Sequence, residues 1–147
     1  MPADRPPLHP TALVGLKQID PDLARVCTAF WEQVWRRDTP ALDQRVRYLV
    51  ALGCGVGAGR LRQATRELVK AYAAGVTVPE LDEVFALLVW MQGVPTFASE
   101  IGPSSLFGAY RLIKRLEADG QSRDAVVARL KADYGEANPD VTTRPSG

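Results

Sequence analysis

Helix-start signals recur along this chain at such short intervals that little room remains for any other regular structure. Asp20-Pro21 offers a side-chain cap and a first-turn proline, and Leu23, Val26, Cys27, Phe30 and Val34 follow at helical spacing. Thr39-Pro40 repeats the device ahead of Leu42, Val46, Leu49 and Val50. Thr77-x-x-Glu80 has the spacing of a capping box, in which the threonine oxygen accepts from a first-turn N–H while the glutamate reaches back. Ser104 or Ser105 is placed to cap a helix carrying Leu106, Tyr110, Ile113 and Leu116, and Ser122 one carrying Val126, Leu130 and Tyr134. Gly75, Gly93, Gly120 and Gly135 lie just past these patterns, where a left-handed residue ends a helix. The spacing predicts helices near 21–37, 40–56, 60–74, 78–92, 95–101, 104–119 and 122–134. No segment alternates apolar and polar residues with period two, so a sheet is not expected. The expected fold class is all-α: a single-domain bundle of about six to seven helices over 20–135. A proline- and polar-rich arm (1–19) and tail (136–147) flank it.

Composition narrows the function classes. With 147 residues and 46% hydrophobic content, the chain can bury about two thirds of its unfolded surface as one domain, without a metal or disulfide staple. Eighteen basic residues against seventeen acidic ones leave no overall charge to attract nucleic acid or an anionic membrane, so neither partner is expected. A single histidine, His9, removes most zinc, haem and histidine-base chemistry, and no metal or cofactor is expected. Cys27 and Cys54 form no CxxC and are expected to be reduced, packed thiols. The opening Met-Pro-Ala-Asp-Arg-Pro-Pro lacks the basic and apolar regions of a signal peptide, and the longest apolar run has eight residues against the ~20 that span a bilayer. A cytoplasmic location is the expectation.

That run, Val84-Phe-Ala-Leu-Leu-Val-Trp-Met91, makes one helix apolar all round. Such a helix must be covered on every side. Either its own chain wraps it, or a subunit contact covers part of it; the second predicts a cyclic homo-oligomer through the face containing Leu81, Val84, Phe85, Leu88 and Trp90.

Several ordered motifs carry a resemblance. Phe30-Trp31-x-x-Val34-Trp35, Leu42-Asp43-x-Arg45-x-Arg47-x-Leu49, Ala71-x-x-x-Gly75-Val76-Thr77-x-x-Glu80-Leu81-x-Glu83-Val84 and Gly93-Val94-Pro95 occur in sequence. Over about residues 21–101 the chain resembles the carboxymuconolactone decarboxylase family, which includes the alkylhydroperoxidase D-like proteins. The resemblance implies an alkylhydroperoxidase D-like helical fold, assembly into trimers or hexamers, and a pocket near the helix-rich interface. It also implies positions for a glutamate, a cysteine pair and a relay histidine in the peroxidase members. Aligned without gaps from Arg47 to Gly75, those positions hold Tyr48, Arg60 with Gln63, and Glu67. The thiol peroxidase apparatus is therefore missing, and peroxide turnover is expected to be absent or stoichiometric.

The same alignment nominates Glu67 and Tyr48 as catalytic and Arg60 and Gln63 as substrate-binding residues for a small carboxylated or lactone-type molecule, and Trp90, outside the aligned span, is expected to wall the pocket as a further substrate-binding residue. A carboxyl partly removed from water holds its proton longer and can serve as acid or base, with Tyr48 donating a hydrogen bond to developing charge. The alternative is that Arg60, Gln63, Glu67 and Lys70 form an ordinary solvated face. Gly53-Cys-Gly-Val-Gly-Ala-Gly59 has the glycines of a phosphate loop but follows a helix rather than a strand, so it reads as a helix end with a close helix–helix approach. Three functions remain open: an enzyme of the family with altered acid–base chemistry, a non-catalytic oligomeric binding or scaffold protein, and a thiol-dependent antioxidant.

Overall fold

The computed structural model describes residues 15–135, all of whose regular structure is helical. The tail 136–147 and residues 1–14 of the arm, with His9, lie outside the described residues. A short 3₁₀ turn, Leu16–Gln18, leads into six main helices: α1 (Pro21–Trp35), α2 (Gln44–Gly57), α3 (Leu61–Ala73), α4 (Val78–Gln92), α5 (Ser105–Ala118) and α6 (Arg123–Tyr134). Between α4 and α5 a helical turn, Val94–Thr96, runs into a π-helical segment, Phe97–Ile101, where one continuous α-helix was expected over 95–101.

The capping signals act largely as read. Asp20 accepts from the Asp22 N–H at 2.9 Å, Ser104 from Phe107, and Ser122 from Ala125. The Thr77–Glu80 box is closed in both directions, the Thr77 N–H donating to Glu80 at 2.7 Å and the Glu80 N–H to Thr77 at 3.3 Å. The exception is Thr39-Pro40, since α2 begins four residues after Pro40. Asp43 supplies its cap, accepting from the Val46 N–H at 3.0 Å. A carboxylate at the N-cap serves the first-turn donors and the positive helix end together, which outcompetes the earlier threonine.

Gly75, Gly93 and Gly120 take positive φ, as helix-ending glycines should. Gly135 does not; its φ is −72°. Its glycine is required for space instead, since a Cβ there would lie 2.3 Å from the Lys131 carbonyl oxygen.

At the centre of the bundle lies α3. Leu61, Ala64, Leu68, Val69, Ala71 and Tyr72 are buried, and α2, α5 and α6 all pack on this helix. Its approach to α2 is close, because a Cβ on Gly55 would come within 3.2 Å of the Ala64 Cβ. The glycine run is therefore a helix end packed tightly on its neighbour: Gly53, Gly55 and Gly57 are inside α2, and Gly59, with φ +71°, turns the chain into α3. From the start of α6, Arg123 donates to the carbonyls of Tyr72 at 2.7 Å and Val76 at 2.9 Å, which satisfies acceptors left open at the end of α3. Thr65 hydrogen-bonds Ser105 at 3.0 Å and ties α3 to the start of α5.

The apolar helix is α4, and its placement corrects the expected interface. Leu81, Phe85 and Leu88 belong to the chain's own core and Val84 is half-buried, so that face is not available to a partner. Leu87, Trp90 and Met91 face outward instead. At Gly93 the chain bends by 116° into the following helical segment, which carries exposed Val94 past the corner. No single described helix is long and apolar enough to cross a membrane.

Two substitutions in one helix test the close approach. Gly53→Ala, with open space around the new methyl group, should raise stability by up to about 1 kcal/mol through helix propensity. Gly55→Val should lower it by roughly 1–3 kcal/mol through overpacking against Ala64. Urea denaturation followed by circular dichroism measures both.

Candidate functional site

The central helix puts two charged side chains where charge is hardest to keep. Glu67 and Lys70 lie three residues apart on α3, and Lys70 Nζ donates to Glu67 Oε1 at 3.4 Å. Their residues are 6% and 7% exposed. Spacing of i, i+3 sets the pair on one face of the helix. Burial strengthens their attraction while removing the hydration of both ions.

Tyr48, from α2, is buried in the same core. Its ring stacks on Trp35 with centroids 5.0 Å apart, and its hydroxyl accepts from Gln44 Nε2 at 3.2 Å. Arg47 holds the other side of this arrangement. It donates to the Trp35 carbonyl at 3.0 Å, and its guanidinium lies 5.0 Å from the Trp35 ring centroid. The end of α1 is thereby fastened to α2 beside Tyr48.

The nominated residues thus divide. The structure buries Glu67 and Tyr48 in one core on two helices that pack together. Arg60 and Gln63 are exposed. Arg60 precedes the first turn of α3, its N–H bonded to the Gly55 carbonyl at 2.8 Å, so it does not share a helical face with Glu67 as the spacing implied. Trp90 is 83% exposed on α4 and within one chain does not wall Glu67. The solvated-face alternative is corrected for Glu67 and Lys70, because α3 is enclosed by its neighbours on the side those residues occupy. Lys70 was legible only as a charge at the right spacing from Glu67; Trp35 belonged to the Phe30–Trp35 motif without a role at the site, and Gln44 carried no signal that separated it from ordinary helix residues. The expectation of packed thiols also changes. Cys54 is exposed on α2, and only Cys27, on α1, is half-buried.

Two further charged clusters tie α4 to its neighbours. Tyr110 donates its hydroxyl proton to Asp82, and Lys114 Nζ donates to the same carboxylate oxygen at 2.8 Å. Lys114 and then Tyr110 hold the Asp82 carboxyl below its usual range, while burial and then Asp82 push the Tyr110 phenol up. A phenol shifted that way and donating to a carboxylate is a cross-link between α4 and α5, not an activated acid. On the other side of α4, Glu80 pairs with Arg45 of α2 while serving the capping box. The Thr77 N–H, and after it Arg45, lower the Glu80 pKa from its ordinary 4.5.

The carboxymuconolactone decarboxylase family model matches residues 21–100, more than half of the chain. The chain belongs to this family. The matched segment runs from α1 through the π-helical segment and contains Tyr48, Glu67, Lys70 and Trp90. No curated protein and no solved structure matches the chain. Membership and an all-helical bundle both agree with the resemblance drawn from the ordered motifs.

Removing one member of a buried ion pair takes a compensating charge away from the other. Lys70→Met should therefore lower stability by roughly 3–5 kcal/mol, and the double variant Glu67→Gln/Lys70→Met should regain part of that loss in denaturant melts. Glu80 gives a pH signature with a defined sign. Because its folded-state pKa is depressed, its contribution is fully present above its ordinary 4.5 and is lost as pH falls through the folded value. The stability difference between wild type and Glu80→Gln should shrink over that acid range in urea midpoints.

Proposed function

We propose that this family member takes a small carboxylated or lactone-type molecule at the Glu67–Lys70 centre and acts on it as a carboxymuconolactone decarboxylase-like lyase. The observation that carries this reading is the ion pair buried in the middle of the central helix. A buried pair is a poor source of stability compared with apolar side chains of the same volume. Its presence in the core therefore favours a chemical role. Decarboxylation breaks the carbon–carbon bond to the leaving carboxylate, releases CO₂, moves the electron pair onto the conjugated lactone as an enolate, and is completed when one proton drawn from water reaches carbon. In this reading Glu67 exchanges a proton with the carbonyl or lactone oxygen, and Tyr48 donates a hydrogen bond to the charge that develops there. Lys70 supplies a cation for the substrate carboxylate, with Arg60 and Gln63 meeting the molecule at the exposed start of α3. The protein acts in the cytoplasm as a homo-oligomer, a trimer or hexamer, and needs no cofactor for this step.

A second reading, a non-catalytic binding or scaffold protein of the same fold, is favoured by the large apolar side chains on the surface, Trp90 and Met91 among them. A thiol peroxidase role has less support, since Cys27 and Cys54 stand on separate helices outside any CxxC.

The test offers carboxymuconolactone to the purified full-length protein and follows CO₂ release and, by calorimetry, binding. Turnover that falls about 10²–10⁴-fold in Glu67→Gln, with helical circular dichroism retained, is the expected result. The amide still accepts from Lys70, so this variant should disturb the fold less than Lys70→Met. Equal rates in wild type and Glu67→Gln would overturn the assigned role. Absence of both turnover and binding would transfer the protein to the scaffold reading.

A further inference from the structure

Gln44 is the first residue of α2 and Tyr48 lies one turn later, so their side chains share a face of the helix. The Gln44 amide donates to the Tyr48 hydroxyl oxygen at 3.2 Å, and the tyrosine is buried. Helix formation by itself gives no reason for an amide at this place. The first turn of α2 contains no acidic residue, although the positive end of a helix favours a carboxylate there. Glutamate and glutamine have nearly equal helix propensity and the same shape. What distinguishes glutamine is its amide N–H groups, which donate, whereas an ionised carboxylate only accepts. With a carboxylate at this position the bond to the phenol would run the other way.

The direction of that bond decides what the phenol can do. The Tyr48 ring is stacked on Trp35 with the planes 25° apart, and Trp35 is held in turn by Arg47. Once the ring is fixed, the remaining freedom of the group is rotation of its O–H about the C–O bond. A phenol keeps this proton near the plane of the ring, where the oxygen stays conjugated, so two directions are open to it. An N–H aimed at the oxygen repels the proton from its own side and turns it to the other. It also draws electron density from the oxygen, and hydrogen bonds joined in a chain strengthen one another.

We propose that Gln44 is a positioning residue, whose amide holds the Tyr48 hydroxyl as an acceptor on its own side and thereby as a donor toward the molecule bound at the Glu67–Lys70 centre. This inference rests on the donor role given to Tyr48 above and adds the group that enforces it. Gln44 acts only through the phenol and touches neither the substrate nor the reacting atoms.

Gln44→Glu is the decisive variant. It keeps the size and helix propensity of the side chain, so a purely structural role predicts an unchanged rate. Positioning predicts a fall in kcat that approaches the loss in Tyr48→Phe, about 10²-fold, with KM nearly unchanged. Gln44→Leu removes the donor without adding a competing acceptor and should lose less. A second readout needs no turnover. The intensity ratio of the tyrosine Raman doublet reports whether a phenolic oxygen accepts or donates, and the Tyr48 part is obtained by difference against the same chain carrying Tyr48→Phe. That ratio should fall in Gln44→Glu, as the phenol changes from acceptor to donor toward the new carboxylate. Circular dichroism verifies the fold of each variant. An unchanged doublet would overturn the hydrogen-bond assignment, and full kcat in Gln44→Glu beside a slow Tyr48→Phe would overturn the positioning role. Tyr48→Phe as fast as wild type would instead overturn the donor role of Tyr48, and this inference with it. A wild type that releases no CO₂ removes the reaction for which the phenol is positioned; the doublet separates that failure from a failure of the Gln44–Tyr48 bond.

Discussion

Enclosure of α3 by α2, α5 and α6 is the constraint on which the rest of this structure depends. On the covered sides no water reaches its polar groups, so those buried there depend on partners within the chain. Thr65 finds Leu61 and Ser105, the carbonyls at the helix end find Arg123, and Glu67 finds Lys70. The absence of a side chain at Gly55 lets α2 come close enough to seal one side. The charged pair is thus a consequence of the same enclosure that makes the bundle stable.

The arrangement reverses a simple hydrophobicity argument. The most apolar helix, α4, lies at the margin with Trp90 and Met91 in solvent, while α3, with five charged residues among thirteen places or at its start, lies in the middle. Burial followed the positions of the apolar residues around each helix rather than their number. On α3, Leu61, Ala64, Leu68 and Tyr72 are spaced to meet several neighbours at once, and the stems of the charged residues fill between them. On α4 the apolar residues exceed what the described residues cover, and Leu87, Trp90 and Met91 are left exposed.

Most of the fold was legible because capping and periodicity are local. Asp20, Thr77, Ser104 and Ser122 act within a turn of their own helices, so the sequence is sufficient to find them. Where two local signals competed, as at Thr39-Pro40 and Asp43, spacing could not rank them, because the outcome depends on where the chain leaving α1 is fastened. Gly135 shows a different limit. Its place after a helix was read as a demand on φ, whereas the demand is on space, and only the path of the backbone around Lys131 reveals that. The candidate site was half legible. Glu67 and Tyr48 came from an ordered match, Lys70 from spacing, and the Trp35–Tyr48–Arg47 arrangement from nothing local, since it joins residues on different helices.

By itself the sequence determined the helical class, most of the helix boundaries and the family. These depend on residue identity and near-neighbour spacing. Only the tertiary structure decided which charges are buried and which apolar residues are left outside. Exposure of a side chain is fixed by what packs against its helix from distant parts of the chain: α3 hides Glu67 and Lys70 because α2, α5 and α6 surround it, and α4 shows Trp90 because nothing among the described residues reaches that side.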